Sequence, residues 1–313
     1  MKKNIIAFIT TAVFATSAVY FFIPKNIRVS SEIVSACGIG SAQRISSSSF
    51  YRAKWLPATG TIISATEYEL DGCRYRFGTD NAYNNSINIQ YKNISTNSLL
   101  TLLPAEKDSL AIKWMLNEES NYNPLGRVSL YFKLKHIKET NEKILHGMSQ
   151  FLSTKKNIYG FDVQLKKQTD STLITLKGSF DHYPAIADIY EDIEKLRAYA
   201  DANHAKTTNA PMLNIGRVDL VNWQYMVALA IDKPLDNYGK IIAKRMFAGG
   251  KILITENING GFATVDAALL QFEKFKTDYS YMSPAIPFQS LITDRAKEPD
   301  SSKWITRLYY PVY

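Results

Sequence analysis

Apolar residues recur at helical spacing twice in the second half of the chain, at Ile186, Ile189, Tyr190 and Ile193 and again at Val265, Ala268, Leu269 and Phe272. Spacing of i, i+3, i+4 and i+7 puts each set on one face of a helix. Ile193-Glu194-Lys195-Leu196 aligns with Phe272-Glu273-Lys274-Phe275 at an offset of 79 (272 − 193). Strand-like runs precede both helices, Thr172 to Leu176 and Lys251 to Thr255. Strand-like runs also follow them: Pro211-Met212-Leu213 matches Pro287-Phe288-Gln289 at 76 (287 − 211), and Trp223 to Ala230 matches Trp304 to Pro311 at 81 (304 − 223). Offsets that drift by a few residues reflect loop length, so the pattern predicts two β-α-β-β units. Each is too small to bury its own helix face, and they pair, as two sheets or one joined sheet, around a groove on the side away from the helices.

The first half reads differently. Val29 to Val34 is strand-like and a serine-rich, weakly patterned stretch runs on to Trp55. Strands are predicted over Glu67 to Phe77, Ser86 to Asn93, Leu99 to Leu103, Leu110 to Met115 and Val128 to Leu134. Ile144, Leu145, Met148, Phe151 and Leu152 then mark a helix that packs on one face of that sheet. The boundary between the halves falls at Tyr159-Gly160.

At the N-terminus, Ile5 to Ile23 is an uncharged apolar run preceded by Lys2 and Lys3. Its length suits a membrane span, and it lacks the small-x-small site of a cleaved signal. Residues 1–27 are therefore expected to be a membrane anchor or signal segment. Its flanking lysines point to a single-pass inner-membrane anchor in a bacterial cell envelope, with the remainder periplasmic.

Composition adds boundaries. The 313 residues are 46% hydrophobic and 21% charged, as in folded chains of about two domains. Lysine and arginine exceed acids by 37 to 29, but no basic block of the kind that binds nucleic acid occurs. Cys37 and Cys73 are the only cysteines, which excludes a cysteine-built structural zinc site. Gly38-Ile39-Gly40 lacks the third glycine of a dinucleotide loop, position 43 being Gln43, and reads as a plain turn. No Gly-x-Ser-x-Gly elbow occurs, and His136, His146, His182 and His204 share no ligand spacing. No metal and no cofactor are expected.

The last residues carry a resemblance. Ile292, Thr293, Asp294, Glu298, Pro299, Trp304, Thr306, Tyr309, Pro311 and Val312 form a hairpin pattern that resembles the closing hairpin of GyrI-like (AraC-type) effector-binding domains. It covers residues 161–313, with repeats over about 161–234 and 240–313, and implies a small-molecule groove. Residues 28–158 resemble, through Ser31-Glu32-Ile33-Val34, Trp55 and the helix Asn141 to Lys155, the SRPBCC (START-like) helix-grip superfamily. Ala36-Cys37-Gly38-Ile39-Gly40 departs from that superfamily's proline-containing first helix. The fold class expected is thus α+β: an antiparallel helix-grip sheet with a long helix, then a duplicated β-α-β-β domain.

Alternation along the last strand puts Ile305, Arg307 and Tyr309 on one face. In many GyrI-like domains the residue at the place of Arg307 is a glutamate that receives cationic ligands or serves as an acid or base, so a groove lined here would carry reversed charge. A guanidinium stays protonated near neutral pH, which suits an anionic or carbonyl-bearing ligand and not base catalysis. The alternative at this point is that Arg307 pairs with a nearby acid such as Glu256 or is simply exposed. The 81-residue offset makes Met226 its counterpart, and Gln224 joins Tyr309 as a hydrogen-bonding group. The expected ligand-binding residues are Gln224, Met226, Ile305, Arg307 and Tyr309, with none catalytic. These features favour a membrane-anchored, non-enzymatic protein that binds a small anionic or hydrophobic molecule and no nucleic acid. A hydrolase or cyclase of small hydrophobic substrates and a protein-partner scaffold are its alternatives.

Overall fold

The computed structural model describes every residue except Met1, 79–83, 107, 121–122, 169–171, 247–249 and 284, and leaves the side chains of residues 2–9, 12 and 15 undescribed. The protein is α+β, and it forms two compact units, Met1–Ile158 and Tyr159–Tyr313.

The N-terminal unit runs α1 (Lys2–Phe22), β1 (Asn26–Ser35), α2 (Ile39–Ser47), α3 (Ser49–Trp55), β2 (Thr61–Ile62), β3 (Glu67–Leu70), β4 (Cys73–Phe77), β5 (Asn84–Tyr91), β6 (Ile94–Pro104), β7 (Leu110–Glu119) and α4 (Pro124–Leu152). The strands make one antiparallel sheet in the order β1-β7-β6-β5-β4-β3-β2. Its inner face is filled by Trp114, Tyr68 and Tyr75, all but fully buried. Tyr75 Oη donates to Asn141 Oδ1 of α4 at 3.0 Å, and Ser35 Oγ to the Ser149 carbonyl at 3.2 Å, tying helix to sheet.

Two elements differ from the pattern-based expectation. Glu67 to Phe77 is a hairpin and not one strand, because Asp71 and Gly72 both take positive φ (51° and 74°), the backbone of a two-residue turn between twisted strands. Val128 to Leu134 belongs to α4. Asn123 accepts a hydrogen bond from the Leu125 N–H and Pro124 opens the helix, a start signal that outweighs the strand-like alternation of the apolar residues after it.

The anchor expectation is corrected. Among the described residues no helix is long and apolar enough to cross a membrane. Thr10, Thr11, Thr16 and Ser17 interrupt the apolar surface of α1. The end of α1 is held by protein: Arg127 Nη1 donates to the Ile23 carbonyl at 3.1 Å, and its guanidinium lies 4.6 Å from the centre of the Tyr20 ring. The single-pass inner-membrane anchor, the membrane partner and the periplasmic envelope location drawn from it do not stand.

After α5 (Lys155–Tyr159), the C-terminal unit runs β8 (Val163–Lys167), β9 (Thr172–Phe180), α6 (Ile186–Ala202), β10 (Met212–Arg217), β11 (Trp223–Ile231), β12 (Ile242–Arg245), β13 (Lys251–Thr255), β14 (Ile258–Asn259), α7 (Phe262–Asp278), β15 (Phe288–Leu291) and β16 (Ile305–Val312). One joined sheet results, ordered β12-β9-β11-β10-β15-β16-β13-β8, with β14 beside β16. The order is a palindrome of the two repeats about the β10–β15 contact. The ladders preserve the offsets, since Asn214 pairs with Met226 and Ser290 with Arg307, at 76 (290 − 214) and 81 (307 − 226). Both helices lie on one face. Ile189, Ile193 and Leu196 of α6 pack with Ile174, Leu213 and Val227, and Phe272 of α7 contacts Tyr310 edge-on at 5.8 Å.

A small aromatic cluster also sits on the helix side. Tyr183 contacts Trp223 and Phe262, and Phe262 contacts Trp304. Arg295, 3% exposed, lies 5.2 Å and 4.9 Å from the Phe262 and Trp304 ring centres and donates to Thr306 Oγ1 at 2.7 Å.

Candidate functional site: a groove across the duplicated sheet

Because side chains alternate along a strand, every second residue of the C-terminal sheet faces away from the helices. On β16 these are Ile305, Arg307, Tyr309 and Pro311, all half-buried, while Thr306, Leu308, Tyr310 and Val312 are buried on the helix side. The equivalent residues of β11 are Gln224, Met226, Ala228 and Ala230.

Two adjoining cavities occupy this face. One, of about 270 Å³, is lined by Met212, Met226, Ala228, Phe288 and Pro311 among others, an apolar and thioether surface. The other, of about 330 Å³, is lined by Lys166, Lys167, Ser290, Arg307 and Tyr309 with Ile252 and Ile254. Gln168, Met212, Met246 and Phe288 line both, so the two form a single groove. The Phe288 and Tyr309 rings, cross-strand partners, stack at 4.9 Å with planes 4° apart and make part of its floor.

The repeat relates the lining residues pairwise. The 81-residue offset equates Met226 with Arg307 and Ala228 with Tyr309; the 76-residue offset equates Met212 with Phe288 and Asn214 with Ser290. All eight line the groove. Arg307 is oriented by a neutral acceptor, donating from Nε and Nη2 to Asn257 Oδ1 at 3.2 and 2.8 Å. Asn214 Nδ2 donates to the Pro287 carbonyl at 2.8 Å. Arg245, Lys251, Lys166, Lys167 and Arg307 are among the lining residues, Lys166 and Arg307 on the strand face that looks into the groove, and no aspartate or glutamate occurs among the described lining residues.

Of the residues expected from sequence, Met226, Arg307 and Tyr309 line the groove. Gln224 and Ile305 line neither cavity: they are each other's counterparts, two residues further along β11 and β16, where Gln224 is exposed and pairs with Gly216, and Ile305 pairs with Asn259. The partner of Arg307 is Asn257 and not Glu256. Met212, Phe288, Met246 and the two lysines were not expected from sequence. Met212 and Phe288 carried a usable signal, since they are aligned between the repeats and alternation gives their face.

No protein-family model matches the chain, and no curated protein matches it. Solved structures similar to it include the EcmrR C-terminal domain (16% identity, 49% of this chain and 98% of that one, TM-score 0.42). SAV2435 bound to tetraphenylphosphonium is another (18%, 49% and 94%, TM-score 0.34). A hydrolase from Listeria innocua is a third (12%, 49% and 92%, TM-score 0.37). Each TM-score is below one half.

Proposed function

We propose that the C-terminal unit is a non-enzymatic small-molecule-binding module of the GyrI-like kind, bounded at residues 161–313, and that the groove across its sheet is the binding site. The observation that carries this is the groove itself, built from paired positions of both repeats, mostly apolar with a few convergent polar groups, and in the size range of small-molecule sites. The groups it presents are thioether, aromatic, amide and cationic. A guanidinium holds its proton near neutral pH, so Arg307 binds and orients and does not abstract protons. Residues 28–158 we read as a helix-grip domain of the SRPBCC kind; the seven-stranded antiparallel sheet under the long α4 supports that reading.

The test uses the uncharged dye Nile red on the full chain. Its fluorescence is expected to rise and shift to the blue with wild type and to do neither with Ala228→Trp, which fills the floor beside Met226. Equal dye binding by both proteins overturns the groove as the site.

A further inference from the structure

We infer that the ligand of this groove is an amphipathic organic anion, with its acidic head at Arg307 and its apolar body on Met212, Met226 and Phe288. This rests on the groove being a binding site, as proposed above, and adds the ligand's chemistry and orientation.

Pseudo-symmetry makes the case. Strand order and pairing are the same in both repeats, so an undiverged groove would present like ends. The ends differ at the pair Met226 and Arg307: one is a polarisable apolar side chain, the other a permanent cation at the equivalent place. Ser290, against Asn214 in the other repeat, adds a hydroxyl beside Arg307. Cationic strands wall both ends, Lys166 and Lys167 at this one and Arg245 at the other, so the ends differ through the floor. A ligand matching this surface must itself be two-ended.

Sign follows from what holds the guanidinium. Asn257 Oδ1 takes two of its N–H donors and orients the fork without neutralising it, and no described lining side chain carries negative charge. Nη1 and the second Nη2 hydrogen remain for a ligand, and a carboxylate or sulfonate accepts such a pair of charge-assisted hydrogen bonds. A cation placed there meets the Arg307 guanidinium on a partly desolvated surface with Lys166 on the same face, and no lining aspartate or glutamate offsets them.

Three competitors with the same apolar body separate charge from burial: 2-naphthoate, 2-naphthamide and 2-naphthylmethylammonium, each displacing Nile red from the full chain at neutral pH. The naphthoate is expected to bind at least about tenfold more tightly than the amide, with the ammonium weakest. The gap should narrow between about 0.1 M and about 1 M salt, as screening requires. Arg307→Gln should bring naphthoate to within about twofold of the amide. The wild-type comparison stands even if that variant fails to fold. Equal displacement by naphthoate and naphthamide, or none by any of the three, while Nile red still binds wild type and not Ala228→Trp, overturns the anionic ligand and leaves the groove. Loss of dye binding in wild type removes both.

Discussion

Gly178 of β9 faces Tyr225 of β11 in the ladder, and the tyrosine ring lies across the space a side chain would take: a Cβ on Gly178 would come within 2.2 Å of Tyr225 Cε1 and 2.4 Å of its Cζ. The ring has no easy retreat. It is 5% exposed, stacks on Phe180 at 5.7 Å with planes 13° apart, and donates from Oη to Asp192 Oδ2 of α6 at 2.6 Å. Gly178→Ala must therefore displace it. The hydrogen bond to a carboxylate contributes about 1.5–3 kcal/mol and the stacked pair about 0.5–1.5 kcal/mol. Alanine's lower unfolded-state entropy returns about 0.5–1 kcal/mol. The net expectation is a loss of about 2–3 kcal/mol, measured by urea unfolding followed through tryptophan fluorescence. In a Tyr225→Ala background the same substitution should be nearly neutral, giving a coupling energy of about 2 kcal/mol or more. A loss within about 0.5 kcal/mol in the wild-type background would refute the claim that this ring pins β11 to α6.

Three further outcomes are expected. Arg295 Nε and Nη1 have no hydrogen-bond partner among the described residues; Arg295→Met, which removes those donors and keeps the bulk, should change stability by less than about 1.5 kcal/mol in urea titrations, whereas Arg295→Ala should cost about 3 kcal/mol. Burial pushes the Cys73 thiol up to about 11, above its unfolded value of about 8.5, so its stabilising share is complete below pH about 8.5 and is lost as pH rises toward 11, by at most about 1.4 kcal/mol per pH unit; stability measured across that window should fall less steeply for Cys73→Ala, and both buried thiols should resist a thiol reagent until the chain is unfolded. Asn123→Ala, which removes the cap of α4, should cost about 1 kcal/mol in the same unfolding assay.

The duplication was legible because helix stripes and strand runs repeat together, and three separate offsets agreed. The leading strands were not. Val163–Lys167 reads VQLKK and Ile242–Arg245 reads IAKR, short and cation-rich, as edge strands that resist further pairing are, and segments of four or five residues carry too little alternation to stand out. The same holds for the site. Alternation gives the face on which Met226, Arg307 and Tyr309 lie, but how far a groove extends along a strand depends on what walls it, and the walls are those unread strands. Hence Gln224 and Ile305 share the face and lie past the groove's end, while Lys166 and Lys167 line it unannounced. In the N-terminal unit, Asn123-Pro124 and Asp71-Gly72 were the local signals that override a strand-like run.

The two leading strands also exchange places. β8, from the first repeat, pairs with β13 of the second, and β12, from the second, pairs with β9 of the first. Each end of the groove is thus walled by the other repeat, and neither repeat alone could form it. Both walls are cationic, Lys166 and Lys167 at one end, Lys244 and Arg245 at the other. The polarity of the groove then rests on the floor, above all on the single difference between Met226 and Arg307. Met226→Arg should make the ends alike and favour a molecule with an acid at each end. The magnitude is tempered by Lys244, whose Nζ lies 4.0 Å from Met226 Sδ and would crowd a second guanidinium. Even so, the affinity of 2,6-naphthalenedicarboxylate relative to 2-naphthoate should rise by about tenfold over wild type, the worth of one additional charge-assisted hydrogen bond, while Nile red binding weakens as apolar surface is lost. An unchanged ratio in a variant that still binds the dye would mean that polarity is set by the walls and not by this pair.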